Sequence, residues 1–278
     1  MIILLILILS VLGGCMEQNR QVSFEYSNMV DIPTRNEINT LLLQSGVNKE
    51  NSNLFFEFID DFYKVPYEGI AEKGFVSKPL NDFTYKSFSI QDNTKHWNEL
   101  GFDNEDYDIN CRVAAFTLMQ DFISLQREHV APLEIIDENI IYEYHLFDHN
   151  QEIIDKYALL FNNVSVSKSD NKADVVSKIQ YNWNDLGLDF KKDVPIKLIS
   201  MYIQNRESNI LQIAHAAVLL ETPDFLYLIE KYNPQEPYQV SKFKHIDEIN
   251  TYLLQRLNQD KINSSQNIVI MLNDDNIY

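Results

Sequence analysis

Three residues far apart in the chain, Cys111, His215 and Glu230, have the side-chain types that thiol chemistry requires. A cysteine attacks a carbonyl carbon only as the thiolate, and a nearby histidine is the usual base that removes the thiol proton. A carboxylate that accepts a hydrogen bond from the imidazole keeps the ring in the required tautomer. The sequence therefore offers a nucleophile, a base and an orienting acid, provided that the fold brings them together.

Cys111 is predicted to occupy the first position of a helix that has Asn110 as its N-cap. Apolar residues follow on more than one face of this helix, which predicts that it is central and buried. Free N–H groups and the helix dipole lower the pKa of a thiol at this position, and Arg112 adds a positive charge, whereas Asp106 and Asp108 oppose it. The alternative is that Cys111 is a small buried core residue without chemistry.

His215 lies inside an otherwise apolar predicted strand, which is followed by a turn and a second strand that carries Glu230. If Leu220 pairs with Phe225, His215 lies directly opposite Glu230, on the same face and about 5 Å away. A slip of one residue would put a different side chain there. The alternative is a hydrogen-bonded core histidine and an unrelated surface carboxylate.

Six further residues are candidates for supporting roles. Asn110, Arg112 and Asn104 are candidates for stabilising an oxyanion or supporting the thiol, and Trp97, Tyr238 and Gln239 are candidates for lining a cleft.

We expect no metal and no cofactor. His145 and His149 are four residues apart, as metal ligands on one helix face can be, but the residues between them lack the glutamate of a zinc peptidase. The acidic turn at residues 103–108 lacks the glycine and the terminal glutamate of a calcium-binding loop.

The N-terminal sequence predicts the cellular location of the protein. Residues 2–12 form an apolar run too short to cross a bilayer, and Gly13, Gly14 and Cys15 follow it. This order resembles the bacterial lipobox, although no lysine or arginine precedes the run. The resemblance implies a lipoprotein signal peptide at 1–14, a Cys15 that carries acyl chains such as palmitate, a lipidated tether at 15–25, and a place on the extracytoplasmic face of the cell membrane. The alternative is an uncut N-terminal anchor.

Charge and composition limit the binding partners and the number of domains that the chain can have. The formal net charge of -18 argues against binding to nucleic acid and against electrostatic docking on anionic lipid. The chain has only 7 glycines and 8 prolines and no linker-like tract, which predicts one domain at 26–278. If Cys15 is lipidated, Cys111 has no disulfide partner within the chain. The sequence leaves the oligomeric state open.

The order of the predicted elements favours an α+β fold, with helices first and an antiparallel sheet afterwards. The apolar spacing predicts helices at 34–46, 51–63, 92–100, 110–123, 137–146, 151–161, 172–186 and 246–257. Runs rich in β-branched and aromatic residues predict strands at 196–203, 211–220, 225–232 and 268–272.

A nucleophile at a helix N-terminus, followed by a histidine and an acid on successive strands, resembles the papain-like cysteine hydrolases, including NlpC-like peptidases and transglutaminase-like proteins. This resemblance implies a papain-like architecture and an attack by Cys111 on an amide or peptide bond, with a cell-wall or peptide substrate. The chain departs from papain in having no glutamine shortly before the cysteine.

Most of the mature chain also resembles an uncharacterised family of Gram-positive lipoproteins of the DUF4300 type. This resemblance rests on residues 27–31, 110–112, Phe116, His215, and 230–231 leading to 237–239. The alternative function is that of a non-catalytic binding or adhesion lipoprotein that retains a papain-like fold. A solute-binding lipoprotein is disfavoured, because repeated βαβ halves are not evident.

Overall fold

The computed structural model of the chain describes residues 23–64, 69–79, 109–126, 135–143, 145–205, 209–259 and 267–278. Within these ranges it contains seven α-helices: α1 (Ile32–Gln44), α2 (Lys49–Phe62), α3 (Cys111–Met119), α4 (Glu138–Glu143), α5 (Gln151–Leu160), α6 (Lys172–Leu186) and α7 (Ile246–Gln259). The strands are β1 (Ser23–Ser27), β2 (Val76–Pro79), β3 (Ile123–Leu125), β4 (Val164–Ser165), β5 (Leu188–Phe190), β6 (Ile196–Asn205), β7 (Ile210–Glu221), β8 (Leu226–Lys231), β9 (Tyr238–Phe243), β10 (Ile268–Leu272) and β11 (Asp275–Asn276). The fold is therefore α+β.

Nine of these strands form one sheet in which all the pairings are antiparallel. Its order is β11-β10-β6-β7-β8-β9-β1-β2, and β4 adds to β7. The prediction of an antiparallel sheet is confirmed, but the sheet is not confined to the C-terminal half, because β1 pairs with both β9 and β2. Phe24 and Tyr26 alternate with exposed neighbours and are buried. The folded part thus includes Ser23, within the segment that the sequence assigned to a tether.

Helix α3 lies in the middle of the protein and packs against β6, β7, β8 and α2. All of its side chains are buried except that of Arg112, which is partly exposed. The prediction of a central, buried helix is confirmed. The helix ends at Met119, whereas the apolar pattern predicted an end at Ile123. The chain continues through a 3₁₀ turn into β3, which pairs with β5.

The sheet separates two apolar cores. One contains α3 and the other N-terminal helices, and the other lies beneath α7, with Tyr252 and Leu253 at its centre. Apolar side chains from alternate positions of β7 enter the two cores, since successive residues of a strand point to opposite faces. The central strands of the sheet are therefore buried on both faces.

The other predicted helices and strands agree with the structure to different degrees. Helix α6 and strand β10 have the predicted bounds, and α5 ends one residue earlier than predicted. The other seven strands, β1 to β5, β9 and β11, were not predicted. The predicted helix at 92–100 lies outside the described residues. None of the described helices is both long enough and apolar enough to cross a membrane.

Candidate functional site

His215 and Glu230 are joined by a hydrogen bond across the β7–β8 hairpin. The imidazole Nε2 lies 2.8 Å from a carboxylate oxygen, Oε2, of Glu230. The predicted register was wrong by two residues, because Glu230 lies directly opposite Ala217. A shift of two residues keeps the same face of the strand, so the histidine and the carboxylate meet as diagonal neighbours.

The turn of the hairpin explains this register. Thr222 and Phe225 are hydrogen-bonded to each other through backbone and side chain, which leaves only Pro223 and Asp224 in the turn. The predicted pairing of Leu220 with Phe225 requires a four-residue loop at 221–224, so the predicted register differs from the observed one by two residues. Pro223 takes the first central position of this tight turn, where proline is favoured.

A β-bulge lies next to the histidine. On β6, Met201 pairs with His215 but the next residue, Tyr202, pairs with Ile213, so that Ala214 is an extra residue in β7. Such a bulge bends the strand and changes the direction in which the neighbouring side chain points. The bulge therefore contributes to placing His215 where the N-terminus of α3 can reach it.

The thiol of Cys111 lies against His215 at the start of α3. Burial is the largest single effect on the Cys111 thiol and raises its pKa, whereas the interaction with the His215 imidazole lowers it. The positive charge of Arg112 and the backbone N–H of Ala216 act in the same direction as His215, so that the net result is a lowered pKa for Cys111. The site therefore favours the thiolate.

The imidazole responds in the opposite direction. Burial lowers the pKa of His215, but its contacts with Cys111 and Glu230 outweigh this effect and raise the pKa to about 9. Because Nε2 is bonded to Glu230, Nδ1 is the ring nitrogen that remains for the thiol. This atom is buried and makes no conventional hydrogen bond within the described part of the chain. The two shifts together favour a thiolate–imidazolium pair.

Asn110 is the N-cap of α3, as predicted. Its Oδ1 accepts hydrogen bonds from the backbone N–H groups of Arg112 and Val113, at 3.0 and 3.1 Å, and its Nδ2 donates to Asp137 at 2.8 Å. Both polar atoms of the Asn110 side chain therefore hold the start of the helix.

Arg112 forms a two-pronged ion pair with Asp137. Its Nε and Nη2 atoms donate to the two carboxylate oxygens at 2.7 and 2.6 Å. Tyr157, on α5, donates to the same carboxylate. Asp137 therefore links the first turn of α3 to α5 and keeps the positive charge of Arg112 one residue from the thiol. Asp137 was predicted only as the start of a helix, because its partners Arg112 and Tyr157 lie 25 and 20 residues away in the chain.

Gln239 and Tyr252 hold the second oxygen of Glu230. The hydroxyl of Tyr252 donates to Oε1, and Nε2 of Gln239 lies 3.5 Å from the same atom. Gln239 also donates to Ser241 Oγ at 2.6 Å and to the Tyr252 hydroxyl at 2.9 Å. Gln239 was predicted to line a cleft, whereas in the structure it is buried beside the carboxylate.

The remaining predicted site residues are placed as follows. Tyr238 is buried and packs edge-on against Phe55 and Phe62, so it lies in the core. Asn104, Trp97 and Cys15 are outside the described residues.

Tyr232 and Arg256 form a stack with the imidazole that the sequence did not reveal. The ring centroid of Tyr232 lies 4.7 Å from that of His215, and the guanidinium carbon of Arg256 lies 4.1 Å from the Tyr232 centroid. Arg256 also forms an ion pair with Glu236. A hairpin that places Glu230 near His215 also places Tyr232 there, since residues two apart share a face. The contribution of α7 is a tertiary contact without a local sequence signal.

The whole site is enclosed. Cys111, His215 and Glu230 are only 5%, 1% and 3% exposed. The described residues contain no group of histidine, cysteine or acidic side chains that is arranged to hold a metal ion. The chemistry that these side chains can perform by themselves is nucleophilic attack by sulfur with proton transfer by the imidazole.

Comparison with known proteins gives one match. The model of a family described as "Domain of unknown function (DUF4300)" matches residues 25–277. No curated protein and no solved structure matches the chain.

Proposed function

The chain belongs to the DUF4300 family, and we propose that it is a thiol hydrolase or acyltransferase that acts on amide or peptide bonds through Cys111, His215 and Glu230. The observation that carries the proposal is the hydrogen bond of 2.8 Å between His215 Nε2 and the Glu230 carboxylate, made by the same imidazole that lowers the pKa of the buried Cys111 thiol. A thiol, an imidazole and a carboxylate in this order form the arrangement that activates a cysteine nucleophile.

The reaction proceeds through a thioester. The Cys111 thiolate attacks the carbonyl carbon, and the imidazolium of His215 gives its proton to the leaving amine as the carbon–nitrogen bond breaks. Water or an acceptor amine then attacks the thioester, His215 takes up a proton, and the thiolate leaves. The Glu230 carboxylate keeps its hydrogen bond with the imidazole throughout and orients the ring.

The backbone N–H of Cys111 is the proposed oxyanion donor. It lies in the first turn of α3, where backbone N–H groups have no partner within the helix. Asn110 accepts from the next two N–H groups but not from this one. A donor at this position points to the carbon that the sulfur attacks, and removal of such a donor typically costs about 100-fold to 1,000-fold in rate.

We further propose that the enzyme acts on the extracytoplasmic face of the cell membrane, held by acyl chains on Cys15. The support is the order of the apolar run, the glycine pair and the cysteine in the sequence. A cell-wall or peptide substrate follows from that location. A papain-like architecture is part of the same proposal, and its support is the central helix that starts at the cysteine and packs on the strands that carry His215 and Glu230.

One observation favours a different function. Cys111 is 5% exposed, so a substrate reaches the sulfur only if the site opens. A non-catalytic binding or adhesion lipoprotein has no need of an accessible thiol, and in such a protein the three residues would form a buried polar network that fixes the core.

The formation of an acyl-enzyme tests the proposal. We expect p-nitrophenyl acetate to transfer its acetyl group to Cys111 with release of p-nitrophenolate, detected as an acetylated peptide by mass spectrometry. His215→Ala slows this step by about 100-fold or more, the usual contribution of a general base. Cys111→Ser is the control for acetylation elsewhere. Acetylation of Cys111 at equal rates in the parent chain and in His215→Ala would support the binding protein instead.

A further inference from the structure

We propose that α7 positions the His215–Glu230 pair, with Tyr252 as the positioning residue that fixes the orientation of the carboxylate. This inference rests on the proposed function, since it assigns a role in the same site. Tyr252 and Arg256 are four residues apart on α7, a spacing that places two side chains on one face of a helix.

Each oxygen of the Glu230 carboxylate has its own partner. Oε2 faces His215 at 2.8 Å, while Oε1 accepts from the Tyr252 hydroxyl. Gln239 lies directly opposite Glu230 on β9 and contacts both the carboxylate and Tyr252. With Oε1 held in this way, rotation of the carboxylate away from His215 would break the hydrogen bond to Tyr252. The carboxylate group is 1% exposed, so water does not replace that bond.

Arg256 acts on the other side of the imidazole. It lies over the ring of Tyr232, which in turn packs on His215, and it is anchored by its ion pair with Glu236. The same face of α7 thus touches the carboxylate through Tyr252 and supports the histidine ring through Arg256 and Tyr232.

The consequence for the thiol is indirect. A carboxylate held towards His215 stabilises the imidazolium, and the imidazolium stabilises the Cys111 thiolate. The loss of the Tyr252 hydroxyl would allow the carboxylate to turn away for part of the time. The thiolate fraction at neutral pH would then fall, although Tyr252 touches neither the sulfur nor a substrate.

The test is the rate of alkylation of Cys111 by iodoacetamide at pH 6.5, followed on the peptide that contains Cys111. We expect Tyr252→Phe to react about threefold to tenfold more slowly than the parent chain, as the loss of one buried hydrogen bond implies. Tyr202→Phe is the matched control, because the Tyr202 hydroxyl is buried without a hydrogen-bond partner within the described residues. We expect its alkylation rate to be that of the parent chain.

A double variant separates positioning from general support of the fold. If Tyr252 acts through Glu230, Tyr252→Phe with Glu230→Gln reacts no more slowly than Glu230→Gln alone. Additive effects, or an unchanged rate in Tyr252→Phe, would overturn the inference while leaving the proposed function intact. If His215→Ala and Glu230→Gln themselves leave the alkylation rate unchanged, the proposed function fails as well.

Discussion

His215 and Glu230 are hydrogen-bonded although they are not opposite each other in their hairpin. Glu230 faces Ala217, and its carboxylate reaches diagonally across the strands to Nε2 of His215 at 2.8 Å. The ring of Tyr232, two residues after Glu230, packs on the same imidazole, with the ring centroids 4.7 Å apart. One carboxylate and one aromatic ring thereby fix the histidine from two directions.

The pH dependence of the thiol should show two steps. The pKa of Cys111 is lowered and that of His215 is raised to about 9. The thiolate–imidazolium pair is therefore populated at pH values above the pKa of Cys111 and below that of His215. We expect the iodoacetamide rate to level off below the usual thiol pKa of about 8.5, then to rise again as His215 loses its proton near pH 9. We expect the proposed hydrolytic activity to fall above pH 9, since the leaving group needs that proton.

The corresponding profile of His215→Ala should have a single step near the ordinary thiol pKa. A parent chain with only one step near pH 8.5 would contradict the lowered pKa of Cys111.

Removal of the carboxylate that holds Arg112 should destabilise the fold. Asp137→Ala leaves Arg112 and Tyr157 without their shared acceptor in a largely buried place, at a cost of about 3 kcal/mol in the free energy of unfolding. Urea denaturation measures this loss. Asp61→Ala breaks a pair with Lys64 whose two side chains are about half exposed, and it should change stability by about 0.5 kcal/mol or less. Equal effects of the two substitutions would contradict the described network.

The aromatic cluster around Phe116 of α3 should also contribute strongly to the stability of the fold. Phe116 is fully buried and packs edge-on against Phe147, Tyr157 and Phe161. We expect Phe116→Ala to lower the free energy of unfolding by about 4 kcal/mol, because it leaves a cavity in a packed core. Tyr181→Ala, at a side chain that is 68% exposed, should change it by about 0.5 kcal/mol or less.

Lipidation can be tested separately from the chemistry. In a Gram-positive host fed with an alkyne-labelled fatty acid, the full chain should carry the label and should partition with the membrane. Cys15→Ser should lose both properties, whereas Cys111→Ser should keep them. Labelled Cys15→Ser protein would show that the N-terminal resemblance to a lipobox had been misread.

Local sequence patterns were sufficient to predict the helices that begin at a capping residue or end at a glycine. Helix α3 starts at its predicted cap, Asn110, and α6 runs between a capping box at Asn171 and a left-handed glycine, Gly187. The shared face of His215 and Glu230 was also predictable, because it depends only on the alternation of side chains along a strand.

The parts that could not be predicted depend on contacts between distant segments. The pairing of strands β1 and β9 joins two segments far apart in the described chain and is a tertiary contact that no local pattern specifies. Asp137 and Tyr252 reach the site from elements far along the chain, and the bulge at Ala214 shows only when β6 is paired with β7. The register error arose from one turn, in which Thr222 and Phe225 bond to each other instead of lying in an open loop.

The most direct test of the central claim compares the alkylation rate of Cys111 in the parent chain and in His215→Ala at pH 6.5. We expect the parent chain to react at least about tenfold faster, because the interaction with the imidazole lowers the pKa of the Cys111 thiol. The alanine variant opens space beside a buried thiol, an effect that works against the expected decrease and makes the comparison stringent. Equal rates, or faster alkylation of His215→Ala, would contradict the account and leave Cys111 as a core residue.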